Sequence, residues 1–224
     1  MGRRAASVAG AARGPCQTDS MNDDKDELLR HAVKREIRAR LRAARGALPR
    51  AACRARSEAI YKRVVGLSCF ERARIVAGYL ALGNEADPAP ILAEAASRGK
   101  GVALPRVDPA TYALSLLLWS KGEPLVKSNW GVMEPRPSAP EAAGDEVDLI
   151  IVPALAIDLQ GYRLGYGKGC YDRLLSSLPD KVSIGIAYDF QLIEQCPRTQ
   201  GDVPVSIVVT DRRLIESREV NEGC

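Results

Sequence analysis

The chain has 224 residues, of which 46% are hydrophobic and 27% charged, with a formal net charge of +4. That length suits one sizeable α/β domain or two small ones, and no apolar run reaches the roughly 20 residues of a membrane-spanning helix. The single histidine (His31) and the scattered cysteines Cys16, Cys53, Cys69, Cys170, Cys196 and Cys224, with no C-x-x-C pair, argue against both a disulfide framework and a zinc centre.

Residues 1–20 are small, basic and almost free of acid. They read as a disordered tail, as a mitochondrial transit segment, or as an artefactual extension ahead of Met21. The fold is therefore placed at 25–216, with 1–24 as an extension and 217–224 as a tail. A helix is predicted from about Asp26 to Arg45, with Leu29, Val33, Ile37, Leu41 and Ala44 as its apolar stripe. Arg30, Lys34, Arg38 and Arg42 recur at i, i+4 and share a second face. Between Arg30 and Arg63 the only acids are Glu36 and Glu58. Such a basic stripe fits an anionic ligand, nucleic acid, a membrane surface, or simply a solvated face.

A second helix is predicted over Arg50–Val65. A strand follows at 74–82, then the polar loop 83–87, a short helix from Pro88 to Arg98 stopped by Gly99, and a strand at 101–107. A second pair of β runs is 112–119 and its neighbour after the turn 120–124, and 128–140 reads as a proline-bearing loop. The apolar segment 148–158 reads as one buried strand. After it come a glycine-rich loop, a helix carrying Tyr171, Leu174, Leu175 and Leu178, a strand at 182–189, a helical piece near 191–195 and a strand at 205–211. Alternating strands and helices predict an α/β fold, a single three-layer domain with a mostly parallel sheet flanked by helices. In such sheets ligands bind beyond the C-terminal strand ends, so the loops at 83–87, 105–109 and 159–169 are expected to gather around one cleft.

The stretch 161-GYRLGYGKGCYDRLL-175 carries the chemistry. Its glycines allow close backbone approach, Arg163 and Lys168 bring positive charge, and a helix N-terminus follows directly. Together these suit a phosphate, although glycine clusters also form plain surface turns. It is not a Walker A loop, because Gly169 replaces the hydroxyl and Tyr162 stands where the first glycine belongs. It is not a dinucleotide fingerprint either, since it runs G-x-G-x-G. With His31 far in sequence from any candidate nucleophile, catalysis would fall to carboxylates, lysine, arginine, backbone dipoles or a bound metal.

Four features together resemble the 5-formyltetrahydrofolate cyclo-ligase family: 34-KREIR-38 on the first helix, Glu85 after a Y-L-x-L strand, 130-WGVMEP-135, and 161-GYRLGYGKGCYD-172. The resemblance implies ATP-dependent closure of 5-formyltetrahydrofolate to 5,10-methenyltetrahydrofolate, with Mg2+ as cofactor and ATP as co-substrate. It implies Lys34, Arg163 and Lys168 as catalytic cations. ATP would be held by Lys34, Arg38 and the run Arg163, Leu164, Gly165, Tyr166, Gly167, Lys168, Gly169, Cys170 and Tyr171. Leu80, Glu85, Trp130 and Tyr171 would bind the folate, and Asp172 would ligate magnesium. Two positions depart from the family pattern. Cys170 replaces an aromatic residue, and Ser206 stands where some members carry a second acidic metal ligand, leaving Asp202 or water to complete the shell. A cytoplasmic monomer, binding neither nucleic acid nor membrane, is expected. The rival readings are a nucleic-acid-binding protein using the basic stripe, and a sugar-phosphate or acyl-CoA enzyme on a similar scaffold, which a requirement for ATP would separate.

Overall fold

The computed structural model describes residues 17–217, with side chains from Glu27 onward. Most of the expected extension and tail, with Cys16 and Cys224, lies outside the described residues. The chain opens with α1 (Gln17–Gly46), α2 (Arg50–Val65) and α3 (Ser68–Arg72). It continues through β1 (Ile75–Ala77), α4 (Ala89–Ser97), β2 (Gly101–Val107), β3 (Leu114–Leu118), β4 (Leu125–Lys127) and β5 (Met133–Pro135). Then come β6 (Leu149–Pro153), β7 (Ala156–Asp158), β8 (Arg163–Leu164) and α5 (Cys170–Ser177). The last elements are β9 (Val182–Ile186), β10 (Leu192–Ile193), β11 (Ile207–Val209) and β12 (Leu214–Glu216).

Seven strands form the main sheet in the order β12-β11-β9-β6-β1-β2-β3. The five central strands are parallel, and the edge strands β12 and β3 are antiparallel. The period of two along β6 explains the layering. Leu149 and Ile151 face a core shared with Ile60 and Val64 of α2, Phe70 of α3 and Ile91 of α4. Ile150 and Val152 face the opposite core, closed by Leu174 and Leu175 of α5. Sheet faces covered by helices on both sides give the expected three layers.

The long first helix packs elsewhere. Leu41 is buried, and with Ile37 it meets Leu155, Ala156, Leu164 and Cys196 around a small sheet of order β10-β7-β8. The predicted apolar stripe is therefore only partly used: Leu29 is 64% exposed and Val33 37%, because that end of α1 runs past the small sheet. This packing suspends α1 above the C-terminal ends of the parallel strands.

Several boundaries differ from the sequence reading for identifiable reasons. The run 74–82 pairs only over β1, since the chain leaves the ladder at Gly78, where a Cβ would lie 2.7 Å from Leu92 Cδ2. The segment 148–158 is two strands, because Ala154 and Leu155 turn the chain away after Pro153. Their carbonyls are satisfied by the buried Gln191 amide, at 3.1 and 2.8 Å. That role places Gln191 in a 3-10 turn (Asp189–Gln191) leading into β10, where the sequence suggested a helical piece. The loops at 128–140 and 159–169 contain β5 and β8. Neither α3 nor β12 was anticipated; five and three residues are too few to show a period.

Candidate active site

The chain beyond β1 carries Tyr79, Leu80 and Glu85 across the top of the sheet. Pro105 and Val107 close β2, and Pro153 ends β6. The segment from Arg163 to Asp172 lies over these strand ends with α1 beside it, and together they enclose a cleft of about 880 Å³. The cleft brings together the candidate residues apart from Ser206. Lys34 and Arg38 line it from α1, Leu80 and Glu85 from beyond β1, and Trp130 from the loop before β5. The whole run Arg163, Leu164, Gly165, Tyr166, Gly167, Lys168, Gly169, Cys170, Tyr171 and Asp172 lines it as well.

One end of the cleft is cationic. Lys34 is buried, its Nζ 3.0 Å from Asp202 Oδ2 and 3.1 Å from Thr199 Oγ1. Burial alone would push the Asp202 carboxyl up, but the Thr199 N–H and the Lys34 ammonium hold it below the usual carboxylate range. Arg38 donates from Nε to the Gly165 carbonyl at 2.9 Å. Burial and the neighbouring Arg42 lower its pKa, against the pull of Asp202; a guanidinium stays charged through such a shift. Arg163 is buried among Val203 O, at 2.6 Å, and Asp172 Oδ1, at 3.0 Å. Arg38, Arg42 and Lys168 form no ion pair among the described residues, so this end presents uncompensated positive charge.

The glycines shape that end. Gly167 has φ 97° and Gly169, which caps α5, has φ 64°. A Cβ on Gly167 would stand 3.4 Å from the Arg38 guanidinium, so the bare backbone lets this cation reach across the loop. The first-turn N–H groups of α5, which follows this loop, lack intrahelical acceptors and suit an anion.

The other end is apolar and aromatic. Tyr79, Leu80, Val132 and Met133 form its walls. Trp130 stacks on Tyr112 with ring centroids 5.8 Å apart, and Lys168 Nζ sits 4.7 Å from the centroid of the Tyr112 ring. Tyr112 has φ 58°, the only described non-glycine residue in the left-handed region. Glu85 is the buried charge here. Its Oε2 accepts from Leu82 N at 2.9 Å, its Oε1 accepts from the Tyr166 hydroxyl at 2.5 Å, and Arg45 NH1 lies 3.3 Å from Oε1. Burial first, and then the Glu85 charge, push the phenols of Tyr79 and Tyr171 up.

A strand–glycine loop–helix with free cations at one end, and an aromatic slot with one buried carboxylate at the other, gives the cleft two ends of different chemistry. The model of the 5-formyltetrahydrofolate cyclo-ligase family matches residues 30–211. The chain belongs to this family. It is 34% identical over 188 residues to the 5-formyltetrahydrofolate cyclo-ligase of Mycolicibacterium smegmatis, covering 81% of this chain and 95% of that one. It is 28% identical to the Haemophilus influenzae enzyme of the same name, over 83% and 97% of the two chains. Among solved structures, the 5,10-methenyltetrahydrofolate synthetase of Aquifex aeolicus superposes with a TM-score of 0.74 at 33% identity, covering 86% of this chain and 96% of that one.

Several residues in or beside the cleft of this cyclo-ligase family member were given no site role in the sequence reading. Arg42 belonged to the basic stripe, and Arg45 extends it by three residues; both reach Tyr166. Thr199 and Tyr112 gave no local signal, because only the fold brings them in. His31 stands at the cleft mouth with its side chain 63% exposed, 3.6 Å from Glu27. The open choice between Ser206 and Asp202 also has a structural side. Ser206 bonds Ser183 across the sheet, whereas Asp202 lines the cleft.

Among the described residues no group of three His, Cys, Asp or Glu could hold a metal by itself. Magnesium does not need such a cage, since it commonly takes one or two carboxylates and completes its shell with phosphate oxygens and water. Asp172 and Asp202 border one shared hollow, so a nucleotide-borne magnesium fits this donor set and a resident, protein-only metal does not.

Proposed function

We propose that the chain catalyses ATP-dependent cyclisation of 5-formyltetrahydrofolate to 5,10-methenyltetrahydrofolate with release of ADP and phosphate. The observation that carries this reading is the two-ended cleft, with a phosphate-type loop and a flat aromatic slot sharing one wall.

A formamide carbon is a poor electrophile. In the proposed sequence the formyl oxygen attacks the γ-phosphorus and the bond to ADP breaks. The resulting phosphorylated iminium carbon is attacked by N10 of the folate, which loses its proton as phosphate departs. Phosphoryl transfer of this kind calls for positioning and charge neutralisation, not for a histidine. Lys34, Arg38 and Lys168 would line the triphosphate, with the N–H groups of Gly165 to Gly169 and the first turn of α5 behind them. Arg163 is already oriented by Val203 and Asp172, so it would meet developing charge without reorganising. Bound magnesium would supply charge neutralisation on the phosphates, held by Asp172 and, in the same hollow, Asp202. Leu80, Tyr171 and Trp130 would flank the folate and exclude water from the activated carbon, while Glu85 would accept hydrogen bonds from its bicyclic ring.

The test is an absorbance assay. Purified protein is mixed with 5-formyltetrahydrofolate and magnesium ATP, and the near-ultraviolet band of the methenyl product is followed. An ATP-dependent rise is expected. A folded protein that gives no rise would overturn the reading. Lys34, Arg38 and Arg42 of the basic stripe line the cleft, which favours an anionic small ligand for that part of the stripe over nucleic acid.

A further inference from the structure

Glu85 lines the cleft yet is only 7% exposed, because Tyr166 lies across it. The Leu82 N–H takes a lone pair on Oε2 and the Tyr166 hydroxyl takes one on Oε1, with the Arg45 guanidinium against that same oxygen. A flat ring edge offering two parallel N–H donors needs one open acceptor on each carboxylate oxygen. Oε2 has one to spare, and Oε1 does not unless a neighbour withdraws. Arg45 is buried and its carbonyl is tied to Asn84 at 3.2 Å. Tyr166 is 51% exposed, on a loop flanked by glycines, and held otherwise by the Arg45 NH2 contact at 3.0 Å and by Arg42 at 5.6 Å from its ring.

We propose that Tyr166 is a positioning residue that caps Glu85 in the free protein and is displaced by the amino-oxo edge of the substrate's bicyclic ring. This rests on the cyclo-ligase reading above. Its hydroxyl keeps the buried carboxylate solvated and correctly aimed while the slot is empty. Substrate arrival exchanges that bond for two from the ring. Because Gly165, its neighbour, holds Arg38 through its carbonyl, the exchange is transmitted to the loop at the phosphate end.

The test compares wild type with Tyr166→Phe, which keeps the ring and removes the competing O–H. Binding of 5-formyltetrahydrofolate without nucleotide is measured by calorimetry, alongside melting temperatures with and without ligand. The dissociation constant should fall about fivefold, the factor that one net hydrogen bond represents. The free variant should melt lower, and the ligand-induced rise should be larger than in wild type; a purely structural hydroxyl would lower both melting points equally. An analogue lacking the ring's 2-amino group has one donor fewer and should bind both proteins alike. Wild-type binding that Tyr166→Phe leaves unchanged or weakens overturns the cap alone. Absence of folate binding by both proteins overturns the functional reading and the cap with it.

Discussion

Lys34→Ala separates anchoring from catalysis. The lysine side chain is 9% exposed and its partner Asp202 23%, so truncation strands a largely buried carboxylate. Breaking a fully buried pair costs about 3–5 kcal/mol. Asp202 keeps the Thr199 N–H at 2.8 Å and some water, which lowers the expected loss to about 2 kcal/mol, or a melting temperature about 4–8 °C lower for a chain of this size. The activity loss should be far larger, about 10²–10³ in kcat/KM for ATP, the usual effect of removing one preorganised charge from a transferring group. Coupled turnover under varied ATP, beside a thermal melt, measures both. The acid limb supplies a third readout. A carboxyl held below its unfolded value, about 3.9, contributes stability that is complete above that pH and is lost as the pH falls through the folded value. Removing Lys34 raises the folded value, so the variant should lose less stability than wild type below about pH 4. A destabilised Lys34→Ala protein with wild-type KM for ATP and full turnover would refute the reasoning and leave Lys34 as an anchor for α1.

Three further outcomes follow from the same geometry. Gly161→Ala places a Cβ 2.4 Å from the Val205 carbonyl oxygen at φ 85°, and should cost about 3 kcal/mol or more in denaturant unfolding; Gly165→Ala, which meets nothing within 4 Å, should change stability by less than about 0.5 kcal/mol. Trp130→Ala removes the stack on Tyr112 and should raise KM for the folate about tenfold while KM for ATP moves little, as steady-state kinetics with each substrate varied would show. A chelator should abolish turnover and leave the melting temperature of the nucleotide-free protein unchanged, since no protein-only metal cage exists among the described residues.

The glycine loop, the cationic face of α1 and the buried β6 segment were legible because each writes its chemistry into consecutive or periodic residues. The strand–loop–helix order then implied both a parallel sheet and a phosphate site. What stayed hidden depends on contacts distant in sequence. Thr199 and Asp202 meet Lys34 across more than 160 positions, and Tyr112 reaches Trp130 and Lys168 only because β3 returns along β2. The division of 148–158 into two strands turns on Gln191, whose amide substitutes for the lost ladder partners. Glu85 was singled out by resemblance, yet its cap by Tyr166 could be seen only once the loop was folded over it.

Asp172 shows how one carboxylate can serve two tasks and how they come apart. Its Oδ1 accepts from Arg163 NH2 at 3.0 Å and from Val203 N at 3.2 Å, so one oxygen already orients the buried arginine. The second oxygen makes no described hydrogen bond and is open to a cation. Asp172→Asn can keep a carbonyl oxygen toward Arg163 and Val203 while removing the negative charge that a hard cation prefers. If Asp172 ligates magnesium, this variant should need at least about ten times more Mg2+ for half-maximal turnover at fixed ATP, with a melting temperature near wild type. Asp172→Ala loses both functions and should also destabilise the protein, because Arg163 would be left buried without its counter-charge. An Asp172→Asn protein with a wild-type magnesium requirement, beside an inactive Asp172→Ala, would mean that the carboxylate works only by holding Arg163 and that the cation is carried by the nucleotide and its other ligands.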